Sequence, residues 1–164
     1  MSTRWQAGLA LALPLLPVLV LAQAVRAADE TAKPLNVELS SFTFKVAKEK
    51  ADLFTYNDGE GKLCFYTNGA AEAKVKVAKG GDYEVVVSAS GDKALKEGAK
   101  FKVTLDGKPL GKETETSDGG PKEYKFPATL KAGEHTLSIE FTNDAYKEGE
   151  YDRNLYVHGV TLKK

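Results

Sequence analysis

The sequence predicts an all-β domain, an antiparallel β-sandwich, and three observations carry that expectation. Apolar residues recur with period two over most of the chain, turn residues interrupt them at short intervals, and no stretch carries a capped helical stripe. Period two places one face of each strand on a core and the other in water, which is how sandwich strands are built.

The first residues are read as an address. Arg4 supplies a positive start, Ala7 to Ala22 is apolar with Pro14 and Pro17 inside it, and small-residue cleavage sites follow at Ala22-Gln-Ala24 and Val25-Arg-Ala27. The run is short for a membrane span and its prolines disfavour a helix, so an exported protein with no membrane segment after cleavage is expected. Residues 1–27 are therefore assigned to a signal peptide, 28–34 to a short polar leader and 35–164 to the sandwich.

Within the sandwich Phe42, Phe44 and Val46 share one parity, as do Val75 and Val77. The same holds for Tyr83, Val85, Val87 and Ala89, for Phe101, Val103 and Leu105, and for Leu137, Ile139 and Phe141. Asn57-Asp-Gly-Glu-Gly61, Asn68-Gly69, Gly80-Gly-Asp82, Asp106-Gly107, Asp118-Gly-Gly-Pro121 and Ala132-Gly-Glu134 favour reversals. Lys93 to Gly98 has room for a single turn of helix. In the last strand Leu155 and Val157 lie on one parity and Tyr156, Val160 and Leu162 on the other. A bulge at Gly159 would re-phase the strand, and Tyr156 is then expected to face the core. Cys64, the only cysteine, lies in the apolar run Leu63-Cys-Phe-Tyr66 and is expected to be a buried thiol.

Composition and spacing exclude several function classes. The formal charge is zero, and the lysines alternate with apolar residues, so no basic nucleic-acid surface is expected. The two histidines, His135 and His158, lack metal-ligand spacing, and there is no nucleophile elbow, phosphate loop or Cys/His pairing. A non-catalytic protein is expected.

The chemistry concentrates between Phe141 and Val157. This loop carries Asn143, Asp144, Glu148, Glu150, Asp152 and Asn154, an oxygen-rich set that suits a hard cation such as calcium without EF-hand spacing. Arg153, the only arginine beyond the leader, stands among these carboxylates as a planar fork placed to orient one of them. Glu38, Asp58, Glu60 and Asp118 are read as turn and surface acids.

Thr142-Asn-Asp144 followed by Asp152-Arg-Asn-Leu-Tyr-Val157 resembles the C-terminal signature of the calcium-dependent xylan-binding carbohydrate-binding modules. Gly81 to Val87, Val103 to Gly111 and Ala132 to Leu137 are similar to that family in order and spacing, so the likeness spans about Gly80 to Leu162. The resemblance implies a non-catalytic sandwich of jelly-roll type whose surface calcium binds vicinal hydroxyls of a xylan-like polysaccharide. It implies Asp144 and Asp152 as the leading calcium ligands, with Asn143, Glu150 and Asn154 contributing side-chain or backbone oxygens. Arg153 would stand behind the ligands, and Tyr146 and Tyr151 would offer the sugar-contacting rings. The alternative is a structural or adhesive module in which calcium stiffens the loop and the sandwich binds protein.

Overall fold

The computed structural model describes residues 33–164, so the expected signal peptide and most of the polar leader lie outside the described residues. Fourteen strands follow in order: β1 (Leu35–Val37), β2 (Thr43–Lys45), β3 (Phe54–Asn57), β4 (Lys62–Phe65), β5 (Gly69–Val77), β6 (Gly81–Gly91) and β7 (Lys100–Leu105). Then come β8 (Lys108–Pro109), β9 (Thr114–Glu115), β10 (Lys122–Leu130), β11 (Gly133–Phe141), β12 (Ala145–Lys147), β13 (Tyr151–Arg153) and β14 (Leu155–Lys163). Two short 3-10 helices, Leu39–Ser41 and Lys48–Leu53, join the early strands.

Two antiparallel six-stranded sheets form the body. The first runs β10-β6-β14-β4-β3 with β1 also on β14, and the second runs β2-β5-β11-β7-β8 with β9 also on β7. Hairpin β12-β13 stands apart. The fold is the antiparallel β-sandwich that the alternation predicts. Its core is filled by the expected parities: Val85, Val87 and Ala89 from the first sheet meet Phe101, Val103, Leu137, Ile139 and Phe141 from the second. Apolar area removed from water contributes roughly 25 cal/mol per Å², so truncating a fully buried side chain such as Ile139 to alanine costs about 2–5 kcal/mol.

β14 is both central and bulged. Its first half pairs with β4 and its second half with β1, while β6 runs along its other side with a register shift between Val157 and Gly159. The shift lets Leu155 and Val157, then Val160 and Leu162, all face the core despite their opposite parities. Tyr156 corrects the expectation for it. Standing out of phase with Leu155 and Val157, it sits half-buried on the outer face, packed edge-on to Tyr66 with Lys62 Nζ 4.6 Å over its ring. Cys64 is fully buried, as its apolar surroundings predict.

The stretch Lys93 to Gly98 forms no turn of helix. Ala94 and Glu97 exchange two backbone hydrogen bonds of 3.0 Å, which closes a two-residue hairpin turn over Leu95 and Lys96. Both central residues have positive φ, 53° and 70°, the signature of a type I′ turn that Asn-Gly pairs normally occupy.

Candidate functional site

At one end of the sandwich three chain segments converge on Arg153: the connection from β6 to β7, the exit of β11, and hairpin β12-β13. β11 and β7 are in register here, Phe141 opposite Phe101, so Thr142 and Asn143 emerge beside Lys100. Asn143 locks this junction. Its Oδ1 accepts from the Lys100 N–H at 2.6 Å and its Nδ2 donates to the Gly98 carbonyl at 3.0 Å.

Arg153 is 3% exposed and each of its three guanidinium nitrogens donates a hydrogen bond. Nε donates to the Glu97 carbonyl at 3.2 Å, Nη1 to the Asn143 carbonyl and Nη2 to the Ala94 carbonyl. The expectation that this fork orients a carboxylate is therefore corrected. Its hydrogen bonds end on backbone oxygens, and its ion pair with the Glu97 carboxylate is long, at 3.9 Å. The Ala94 and Glu97 carbonyls already accept across the turn, so the planar fork takes their second lone pairs and reaches the Asn143 carbonyl as well. The Lys100 ammonium, with a smaller contribution from Arg153, holds the Glu97 carboxyl below its ordinary range.

Asn154 is 5% exposed and bonds through Nδ2 to Asp92 Oδ2 at 3.1 Å, while its carbonyl accepts from the Asp92 N–H at 3.0 Å. Asp92 also accepts from the Tyr156 hydroxyl at 2.8 Å, and burial followed by this bond pushes the phenol well above its usual range. Asp144 donates its backbone N–H to Asn68 Oδ1 at 2.7 Å. Asp144 Oδ1 and Asn154 Oδ1 are both buried without a hydrogen-bond partner, as is the Thr116 hydroxyl beside Gly98. Buried oxygens of this kind are costly unless a donor or a cation satisfies them.

The remaining sequence-predicted residues divide. Asp152 is exposed and stands directly opposite Tyr146 in the β12-β13 ladder, so the two share a face of the hairpin. Tyr151 lies opposite Lys147 and is half-buried. Glu150 is exposed and ion-paired to Lys147 at 2.6 Å. Among the described residues no three His, Cys, Asp or Glu side chains cluster closely enough to form a metal centre by themselves. Any cation here draws on Asn and backbone oxygens and on water as well as carboxylates, a set that a hard cation accepts.

Sequence reasoning missed Asp92, Asn68 and the turn from Ala94 to Glu97. Asn68 and Asp92 lie far along the chain from the loop they brace, and Asn68 is marked locally only as a turn residue of Asn68-Gly69. Gly98, where an added Cβ would lie 2.6 Å from the Thr116 carbonyl, carries a signal, and so does Gly91. An added Cβ there would lie 2.5 Å from the Ala99 methyl and 2.8 Å from the Asn154 carbonyl, so the strand end must be bare for the segments to close.

Residues 84–164 match the model of a family described as Ca-dependent carbohydrate-binding module, xylan-binding (CBM60). That segment holds every residue above except Asn68. No curated protein matches the chain. Among solved structures, the CBM36-1 domain of a multidomain xylanase from the hindgut metagenome of Trinervitermes trinervoides is similar, with TM-score 0.62, 13% identity, 80% of this chain and 97% of that one covered. A carbohydrate-binding module CBM36 in complex with calcium and xylotriose gives TM-score 0.57 at 13% identity, covering 79% of this chain and 98% of the other. A family 35 carbohydrate-binding module from Clostridium thermocellum gives 0.54 at 13% identity, covering 80% and 98%. At such identities the likeness is one of fold, a jelly-roll sandwich.

Proposed function

Because the chain belongs, through residues 84–164, to the calcium-dependent xylan-binding family of carbohydrate-binding modules, we propose that it holds xylan-like polysaccharide at the Arg153 end of the sandwich with the help of a calcium ion. The pair of buried, donorless oxygens, Asp144 Oδ1 and Asn154 Oδ1, carries this reading. Asp144 and Asn154 would hold the ion, joined by Asp152 from the adjacent hairpin. Bound calcium would supply exchangeable coordination positions that two vicinal sugar hydroxyls can take. Asn143 acts as a brace with its side chain, since both of its amide atoms are bonded to backbone. Arg153 fixes the segments on which the ligands stand, and Glu150 is balanced by Lys147. Tyr146, 66% exposed beside Asp152, offers a ring to the sugar, with Tyr151 half-buried next to the hairpin turn.

The test is calorimetric titration of calcium into the parent, Asp144→Asn and Asp152→Asn, with retention on insoluble xylan in calcium and in chelator. Each substitution should weaken calcium binding by about tenfold or more and reduce retention in step. Melting in chelator should not fall, because Asp144 Oδ1 has no donor to lose and Asp152 is exposed. Unchanged calcium binding in both variants would move the site elsewhere. We read the leader grammar as an export address, so mass spectrometry of exported material should find an N-terminus near Val25 or Ala28. An exported chain retaining Met1 would overturn that.

A further inference from the structure

Among the described residues two large apolar side chains stand far more exposed than the rest. Tyr146 is 66% and Leu95 65% exposed, against 41% or less for the other exposed large hydrophobics. Both belong to segments braced by Arg153. Tyr146 is on the hairpin that carries Arg153, and Leu95 sits between two residues, Ala94 and Glu97, whose carbonyls accept from the guanidinium.

The backbone under Leu95 makes its presence harder to dismiss. The chain builds a second turn with positive φ at both central residues, between β7 and β8, and there it uses Asp106-Gly107, with φ of 50° and 75°. That is the residue choice which minimises strain. At the Arg153 end the same geometry is imposed on Leu95 and Lys96, a leucine in the left-handed region being among the costlier choices. An exposed leucine gains nothing from core packing that would offset this. Strained residues held by their surroundings gather at ligand-contacting positions.

We propose that Leu95 is a sugar-contacting wall: the strained turn holds its side chain against the apolar C–H face of a pyranose ring whose hydroxyls are bound at the Asp144–Asn154 locus. This rests on the reading given under Proposed function and adds a specificity-determining residue to it. The wall would select neutral pyranosides that present an apolar face, and Lys96 would lend only its charge to solvent.

The experiment uses the full chain in saturating calcium, with xylotriose titrated into the parent, Leu95→Gly and Lys96→Gly. Calcium affinity and thermal melting are measured in parallel. Glycine suits positive φ, so both variants keep the turn and should melt at or above the parent temperature. Leu95→Gly should weaken xylotriose binding by about tenfold, the scale expected from losing a half-buried leucine contact. Lys96→Gly should stay within about twofold of the parent, and calcium affinity should hold in both. Leu95→Asn, which also tolerates the left-handed region, should repeat the loss. Xylotriose binding by Leu95→Gly within twofold of the parent would overturn the proposal. So would an equal fall in calcium affinity, which would make the turn part of the metal site. A parent that binds calcium but no xylotriose would overturn the function reading itself, and would do so without any variant.

Discussion

β11 connects two ends of the second sheet that treat their polar groups in opposite ways. At its start, His135 Nδ1 lies 2.7 Å from Asp106 Oδ2 and Nε2 lies 2.9 Å from the Lys131 carbonyl. Two acceptors on two ring nitrogens call for the imidazolium, and the Asp106 carboxylate raises the His135 pKa while the histidine lowers that of Asp106. The other Asp106 oxygen accepts from the Thr136 N–H, and the Asp106 N–H donates to the Thr136 carbonyl, both at 2.8 Å. At the exit of β11, by contrast, Asp144 Oδ1 and Asn154 Oδ1 are buried without donors, a turn is strained, and two apolar side chains face water. The saturated end is a clasp that completes itself. The unsaturated end is left open, and it is there that the proposed calcium and sugar would bind.

The sharpest way to break this contrast is to remove the brace common to the open end. Arg153→Ala removes three charge-assisted hydrogen bonds, each contributing about 1.5–3 kcal/mol, although the Ala94 and Glu97 carbonyls keep each other's N–H across the turn. A loss of about 3 kcal/mol or more in denaturant unfolding is expected, or roughly 6–12 °C in melting temperature, with sugar retention abolished. A cost no larger than that of an exposed lysine substitution would show that the open end is not organised by this residue.

The clasp is tested by pH. A raised His135 pKa contributes stability that is fully present below the unfolded value near 6.5 and is lost as pH rises through the folded one. A lowered Asp106 pKa contributes stability that is present above about 4 and is lost as pH falls. The pair is therefore strongest between about pH 4 and 6.5. His135→Gln should cost about 0.5–1 kcal/mol near pH 6, discounted because Asp106 is half exposed, and close to nothing at pH 9. Parallel melts across that range check the sign. A cost that does not change with pH would assign His135 to packing instead. Smallest of all, Glu150→Gln should leave calcium affinity within about twofold, because an exposed ion pair contributes little. A tenfold loss by calorimetry would return Glu150 to the ligand set.

Much of this contrast is legible in the residues, though unevenly. Alternation at Val85-Val87-Ala89 and Leu137-Ile139-Phe141 yields the core faces directly, since period two is a local property. Gly159 announces the bulge in β14 because Val160 and Leu162 break parity right after it. Arg153 stands out as a lone fork, yet its partners do not, because carbonyls have no letter in a sequence. The Ala94–Glu97 turn is illegible for a related reason. Turn readings depend on Gly and Asn, and here Leu95 and Lys96 occupy the positions those residues would fill. Tyr156 was misread because the re-phased half of β14 was extended backward past the bulge.

The dual pairing of β14 also determines how the module is displayed. Leu35 lies across from Leu162, so the chain enters and leaves the sandwich side by side on one ladder. The loops around Arg153 adjoin Leu155, seven residues up the same strand, a rise of about 23 Å. A tether at either terminus thus attaches to the far side from the loops. An attachment at either end would therefore leave the Arg153 end of the sandwich facing away from it.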